Sequence, residues 1–214
     1  MFCQRYVIIL MVLLISGCQS LPDPVETESK AIWLNDPNHF EQRASQVKQQ
    51  AKWRYAAKVG VSAPSVTEQA NLVWEYDDQA NNMRLFGPLG IGAIKLQFDE
   101  YGVVLSDNKG VVHRGNSAEQ LLTRIVGWPI PIDALSSWIF VLPQEGAVYR
   151  YQLDENQQVK TLEQLGWRIE YSSYRDFSGR LMPRKIVATR VVSPYAGNAS
   201  ESDVVVKLIT KSWK

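Results

Sequence analysis

Groups able to carry covalent, acid–base or metal chemistry are sparse in this 214-residue chain. Its two histidines, His39 and His113, fall in neither an HExxH nor an HxH spacing, so the ligand geometry of a zinc site is missing. No GxSxG turn raises a nucleophilic serine, and Ser62, Ser106 and Ser117 stand without a nucleophile signature. Asp77-Asp78 and Asp99-Glu100 are paired only by adjacency; neighbours on a strand face opposite sides, so they read as solvated turn residues. The run Gly87 to Gly92 is glycine-rich, yet it contains neither a GKS/T nor a GxGxxG phosphate cradle. These absences argue against an enzyme, and no cofactor is called for. Two cysteines, Cys3 and Cys18, are too few for a disulfide framework. Both lie at the extreme N-terminus.

The chemistry that does remain is at Cys18. Arg5 precedes nine consecutive apolar residues, Val7 to Ile15. A membrane-spanning helix needs about 20 such residues, so the stretch is a secretory signal and not a span. Ile15-Ser16-Gly17-Cys18 resembles a bacterial lipobox, in which the cysteine is acylated and becomes the first mature residue. Cys3 then leaves with the signal, and the remaining thiol is consumed by lipid. One acyl chain binds a bilayer marginally and two or more bind stably, so a triacylated Cys18 anchors firmly. By resemblance to Gram-negative lipoproteins, Gln19 in place of an aspartate after the cysteine directs the chain to the outer membrane.

Residues 1–17 are therefore read as a signal peptide, 18–35 as a lipidated N-terminus and flexible tether, and 36–214 as the functional domain. Net charge is +1, with no Lys/Arg cluster to hold nucleic acid. At 45% hydrophobic residues the domain can bury a sizeable core.

Asn35-Asp36-Pro37 supplies a helix start, and Phe40, Ala44, Val47 and Ala51 follow at helical spacing, predicting about four turns. From Trp53 the period is two: Trp53, Tyr55, Ala57, Val59 and Val61, then Leu72, Trp74 and Tyr76, then Ile94, Leu96 and Phe98. Turn clusters at 99–102 and 107–110 separate short strands. Ser117 to Gln120 is a capping box opening a helix with Leu121, Leu122, Ile125 and Val126 on its apolar face. Asp133 is expected to cap a second short helix presenting Leu135, Trp138 and Ile139. Strands are expected again at 148–153, 158–162, 167–173, 184–190 and 204–210. The fold class is α+β: an antiparallel sheet with three helices on one face.

Aromatic residues are conspicuous. Seven Trp and, once Tyr6 leaves with the signal, eight Tyr remain. A packed core and a sheet curved around an apolar cavity give the same periodicity, so spacing alone leaves both open. Pro88-Leu89-Gly90 places an apolar side chain between a rigid and a free residue, the pattern of a hairpin tip.

That tip, the lipobox, Ser106 to Gly110, Gly127-Trp128-Pro129-Ile130-Pro131, Leu135 to Ile139 and the closing Trp213 occur in the order found in the LolB family of outer-membrane lipoprotein receptors, which the chain resembles over about residues 36–214. The resemblance implies an open antiparallel half-barrel closed by helices over a hydrophobic cavity. It implies acceptance of lipoproteins from the periplasmic carrier LolA and their insertion into the inner leaflet of the outer membrane, the protein acting as a tethered monomer on the periplasmic face. Leu89, flanked by Pro88 and Gly90, matches the family's protruding membrane-insertion loop; Gly87 and Ile15 depart mildly from the family pattern. Trp53, Tyr55, Trp74, Tyr76, Leu96, Trp138 and Tyr171 are the expected lining for acyl chains. A sensor or carrier of other hydrophobic ligands is the alternative of another class.

Overall fold

Every described strand of the structure, a computed structural model, joins one antiparallel sheet: successive strands pair within β1–β6 and within β7–β11, and the last strand returns to pair with the first. The structure describes residues 32–63, 66–77, 80–87, 92–190 and 204–214. The signal peptide, Cys18 and most of the tether lie outside these residues, as do Pro88, Leu89 and Gly90. Helix α1 (Asn38–Lys48) leads into β1 (Lys52–Ala63), β2 (Val66–Asp77), β3 (Ala80–Phe86), β4 (Ile94–Asp99), β5 (Gly102–Ser106) and β6 (Val112–Gly115). Helices α2 (Ala118–Val126) and α3 (Ile132–Trp138) follow, then β7 (Tyr149–Leu153), β8 (Val159–Gln164), β9 (Trp167–Phe177), β10 (Arg180–Arg190) and β11 (Val205–Trp213). The order across the eleven strands is β6-β5-β4-β3-β2-β1-β11-β10-β9-β8-β7. β11 inserts beside β1 and thereby welds two meanders into one sheet whose ends, β6 and β7, do not pair with each other.

Period-two patterning decides which face is buried. Trp213, Tyr55, Trp74, Met83, Leu96 and Leu105 are successive cross-strand partners from β11 to β5. None is more than 4% exposed. A second row runs through Tyr151, Leu162, Ile169, Ala188, Val206 and Val61, from β7 to β1. The opposite face carries cross-strand ion pairs, Lys52–Asp77 at 2.7 Å and Arg54–Glu75 at 3.1 Å. Laid flat, such a sheet would be about 50 Å wide at roughly 4.8 Å per strand. Buried residues of β5 and β7 nevertheless belong to one contiguous core with the helices, so the sheet is curled around its apolar face.

The first row depends on a bulge that resets the alternation. Lys211 is the extra residue opposite the Ala56–Ala57 step, which turns Trp213 inward three positions after Thr210. This is why β11 continues to Trp213, beyond the expected end at 210. β9 and β10 are also longer than expected and form an extended hairpin. β10 pairs with β11 only over 185–189; below that, Pro183 offers no amide hydrogen, and its carbonyl accepts from the Thr210 hydroxyl at 3.1 Å instead. β3, to which the sequence reading assigns no element, is carried by Met83 and Leu85.

The helices sit on the inner face. In α2, Ser117 Oγ accepts the Gln120 amide at 3.3 Å, as the capping box predicts. Gly127, at φ +80°, ends it with its own amide and that of Trp128 turned back to Thr123 and Leu122. Gly115 on β6 lets Leu121 approach: a Cβ there would lie 3.3 Å from its Cγ. Asp133 does not cap α3; Pro131 occupies that position and Asp133 falls in the first turn, where its charge suits the helix dipole.

A buried amide ties α3 to the sheet. Gln164, 3% exposed, accepts from Trp138 Nε1 at 3.2 Å and from the Gln144 amide at 2.7 Å. Its own amide donates to Gln144 O at 2.8 Å and Ala147 O at 3.1 Å. Truncating it orphans several buried groups at roughly 1–3 kcal/mol each, offset in part by water entry. Gln164→Ala is expected to lower unfolding free energy by about 3 kcal/mol in urea titration, whereas Gln157→Ala, at the other end of β8, leaves it within about 0.5 kcal/mol.

Candidate functional site

Among the described residues, helix α1 lies over the curled face with open space lined on either side of it. It starts where Asp36 Oδ1 accepts the Asn38 amide at 3.0 Å, and it runs three turns to Lys48, leaving Ala51 outside. Its one fully buried side chain, Phe40, meets Tyr149 and Tyr151 edge-on at centroid distances of 5.7 and 5.0 Å. His39 stacks on Tyr151 at 5.0 Å. Partial burial, then the charge of Arg43, lowers the His39 pKa. Burial followed by the Asp36 charge raises the phenols of Tyr149 and Tyr151, so this cluster is neutral. The preceding segment is held too: Leu34 exchanges two 2.8 Å backbone hydrogen bonds with Tyr151, and Arg150 lies 4.3 Å over the Trp33 ring. It thereby covers the edge of β7, which would otherwise expose unpaired backbone.

Open space remains on both flanks of α1. On one side is a mostly apolar cleft of about 740 Å³, walled by Phe40, Ala44 and Val47 of α1, Trp53 of β1, Tyr76 of β2 and Leu142. On the other is a pocket of about 340 Å³ between α1 and the β9–β10 hairpin, at the point where β10 has parted from β11. Val47, Gln50 and Phe140 line both spaces. The first volume lies within the roughly 300–1,000 Å³ of ligand pockets.

Phe140 is brought between them by a tight turn after α3, in which Val141 adopts φ +60°. That conformation costs of order 1–3 kcal/mol for a β-branched residue and persists where surrounding packing enforces it. Phe140 packs on Trp53 at 5.2 Å and on Trp213 at 4.6 Å, while Trp53 stacks on Tyr76 at 5.9 Å. Trp53, Tyr76 and Phe140 thus line the cleft as one group of touching rings.

The residues named from sequence divide. Trp53 and Tyr76 line the cleft. Tyr55, Trp74 and Leu96 lie in the first cross-strand row, shut off from solvent, and Tyr55 Oη shares a 3.1 Å hydrogen bond with Thr210 Oγ1. Trp138 is buried on Gln164. Tyr171 is buried near Arg43, its hydroxyl without a partner among the described residues. Sequence reasoning passed over Phe40 as a site residue, and it passed over Phe140 and Arg43 altogether. Phe40 was legible as the one aromatic on the α1 apolar stripe; Phe140 and Arg43 had no signal of their own. Of the pairs set aside as turn residues, Asp99 Oδ1 accepts the Tyr101 and Gly102 amides at 2.8 and 3.2 Å.

A family model described as outer membrane lipoprotein LolB matches residues 51–213. The chain belongs to the LolB family. Similar proteins named outer-membrane lipoprotein LolB occur in Pseudomonas syringae pv. syringae strain B728a, 28% identical with 100% of this chain and 97% of the relative aligned, and in Pseudomonas paraeruginosa strain PA7, 28% identical over 94% and 91%. Among solved structures, a LolA-superfamily protein from Nitrosomonas europaea is alike at a TM-score of 0.53 with 10% identity, over 85% of this chain and 93% of that one. An outer membrane lipoprotein-sorting protein domain from Vibrio parahaemolyticus gives a TM-score of 0.53, also at 10% identity, over 83% and 90%. The open sheet covered by three helices is therefore the fold of the LolA superfamily. Membership in the LolB family also makes the chain an outer-membrane lipoprotein with a part in lipoprotein localisation.

Closure by α1 rests on Phe40. Phe40→Ala is expected to cost about 3–4 kcal/mol and to speed amide hydrogen exchange across α1 at least tenfold relative to the centre of β1. Unchanged protection in α1 would mean that other contacts hold the helix.

Proposed function

We propose that this protein receives lipoproteins from a LolA-type periplasmic carrier, holds their acyl chains against the inner face of its sheet, and releases them into the inner leaflet of the outer membrane. The observation that carries the reading is the apolar cleft beneath α1, floored by Trp53 and Tyr76 and covered by one three-turn helix, in a chain of the LolB family. Each CH₂ of an acyl chain costs about 0.8 kcal/mol when exposed to water, so transit needs an apolar host at every stage. Hand-off from one such host to another needs no nucleotide, only a second face at least as accessible as the first.

Tyr55, Trp74, Leu96, Trp138 and Tyr171 are assigned to the deeper wall, reached by acyl chains when α1 swings aside. Cys18 carries the lipid anchor, and the Pro88-Leu89-Gly90 tip engages the bilayer surface during release. The role requires no nucleophile–base pair.

Mixing the mature chain, 18–214 with Cys18→Ala, with a LolA-type carrier loaded with labelled lipoprotein is expected to move most of the label onto this protein without nucleotide. Retention of label on the carrier, with free fatty acid still bound here, would favour a carrier of other hydrophobic ligands. In the lipidated protein, Leu89→Glu is expected to leave this acceptance within about twofold while reducing delivery to outer-membrane vesicles at least tenfold. Normal delivery by that variant would remove Leu89 from the mechanism.

A further inference from the structure

The smaller pocket differs in chemistry from the cleft it adjoins. Arg43, Arg180 and five glutamines from α1, the residues just after it and the β7–β8 turn line it, and no aspartate or glutamate does. Arg43 is half-buried against the deep wall. Its Nη1 makes a long contact of 3.4 Å to Phe140 O and one of 3.3 Å to Met182 Sδ, neither with an anion. A guanidinium has five N–H donors, and among the described residues Nε and Nη2 of Arg43 have no partner. A partly desolvated cation without a counter-ion is unfavourable, and an anion that reaches it relieves that cost. Desolvation does lower the Arg43 pKa, while the phenols of Tyr171 and Tyr174 beside it raise it. Both phenols are themselves raised by burial, so neither supplies a charge to neutralise it.

We infer that this pocket is an oxyanion subsite, centred on Arg43 and rimmed by Arg180, for the headgroup of a lipid whose tail lies in the apolar cleft. The shared lining by Val47, Gln50 and Phe140 allows one amphiphile to span both spaces. The bidentate fork of Arg43 suits a carboxylate or a phosphate oxygen pair, and the glutamine amides supply further donors without competing charge. A fatty-acid carboxylate and a phospholipid phosphate share this chemistry. The inference rests on the acyl-host reading of the cleft and concerns a free anionic lipid as a second guest, since the ester- and amide-linked acyl chains of a lipoprotein carry neither group.

The test uses the mature chain carrying Cys18→Ala, with tryptophan fluorescence quenched by 9,10-dibromostearate, by the matching stearyl alcohol, and by 9,10-dibromostearoyl lysophosphatidate. At least one anionic ligand is expected to bind tenfold or more tighter than the alcohol; the acid alone identifies a fatty acid as the source, the lysophosphatidate alone a phospholipid. Arg43→Gln is expected to shrink that preference to about twofold and leave alcohol affinity unchanged, while Arg43→Lys retains part of it. Equal affinity for all three, or a preference that survives the Arg43→Gln/Arg180→Gln double variant, overturns the subsite while leaving the cleft intact. Absence of quenching by any of the three refutes the acyl-host reading, and the subsite with it.

Discussion

A sheet that is apolar along one whole face must hide that face, and eleven strands expose far more of it than three short helices can seal. At about 25 cal/mol per Å² of apolar surface, leaving such a face wet would cost more than the net stability of a domain. Curling lets the two halves share one cover, and the rest of the architecture follows from how completely each part is covered. Under α2 and α3 the seal is tight: Gly115 admits Leu121, and Gln164 fixes the α3 turn through four hydrogen bonds. Under α1 it is loose, because one ring, Phe40, carries that helix's fully buried contact and space remains on either side. The same incompleteness that costs stability there leaves an apolar host within reach of a guest.

The loose seal has identifiable origins. β10 parts from β11 at Pro183, which cannot donate to a ladder, and the gap is bridged by the Thr210 hydroxyl instead of by backbone. The bulge at Lys211 turns Trp213 inward beside Phe140 and Trp53. Val141 holds a left-handed conformation to bring Phe140 into that cluster. Three local departures from regular structure thus converge on one region, in keeping with the tendency of strain and bulges to gather at functional sites.

Much of this was legible in the residues. Alternation from Trp53 to Val61 named the inner face of β1, and the Ser117 capping box placed α2. The Pro-Leu-Gly tip, the ordered Trp- and Pro-containing segments and the closing Trp213 pointed to the LolB family, which the family match over residues 51–213 shows. The rest was hidden for physical reasons. A bulge breaks period two, so β11 looked to end at 210 when it continues to 213. Aromatics that wall a cleft and aromatics that fill a core alternate identically; only the placement of α1 separates Trp53 and Tyr76 from Tyr55 and Trp74. Arg43 read as an ordinary polar position of an amphipathic helix, because its neighbours Phe140 and Met182 are 97 and 139 residues away in sequence.

The central claim is that cargo acyl chains lie on the inner face of the sheet beneath α1. A photoreactive phenylalanine analogue placed at position 76, and in parallel at 75 on the same strand, would test it directly when the protein has accepted a lipoprotein with a radiolabelled acyl chain. Tyr76 faces the cleft and Glu75 the opposite side. The account predicts strong crosslinking of labelled chain at 76 and little at 75. Equal crosslinking at both, or a signal confined to 75, would contradict it.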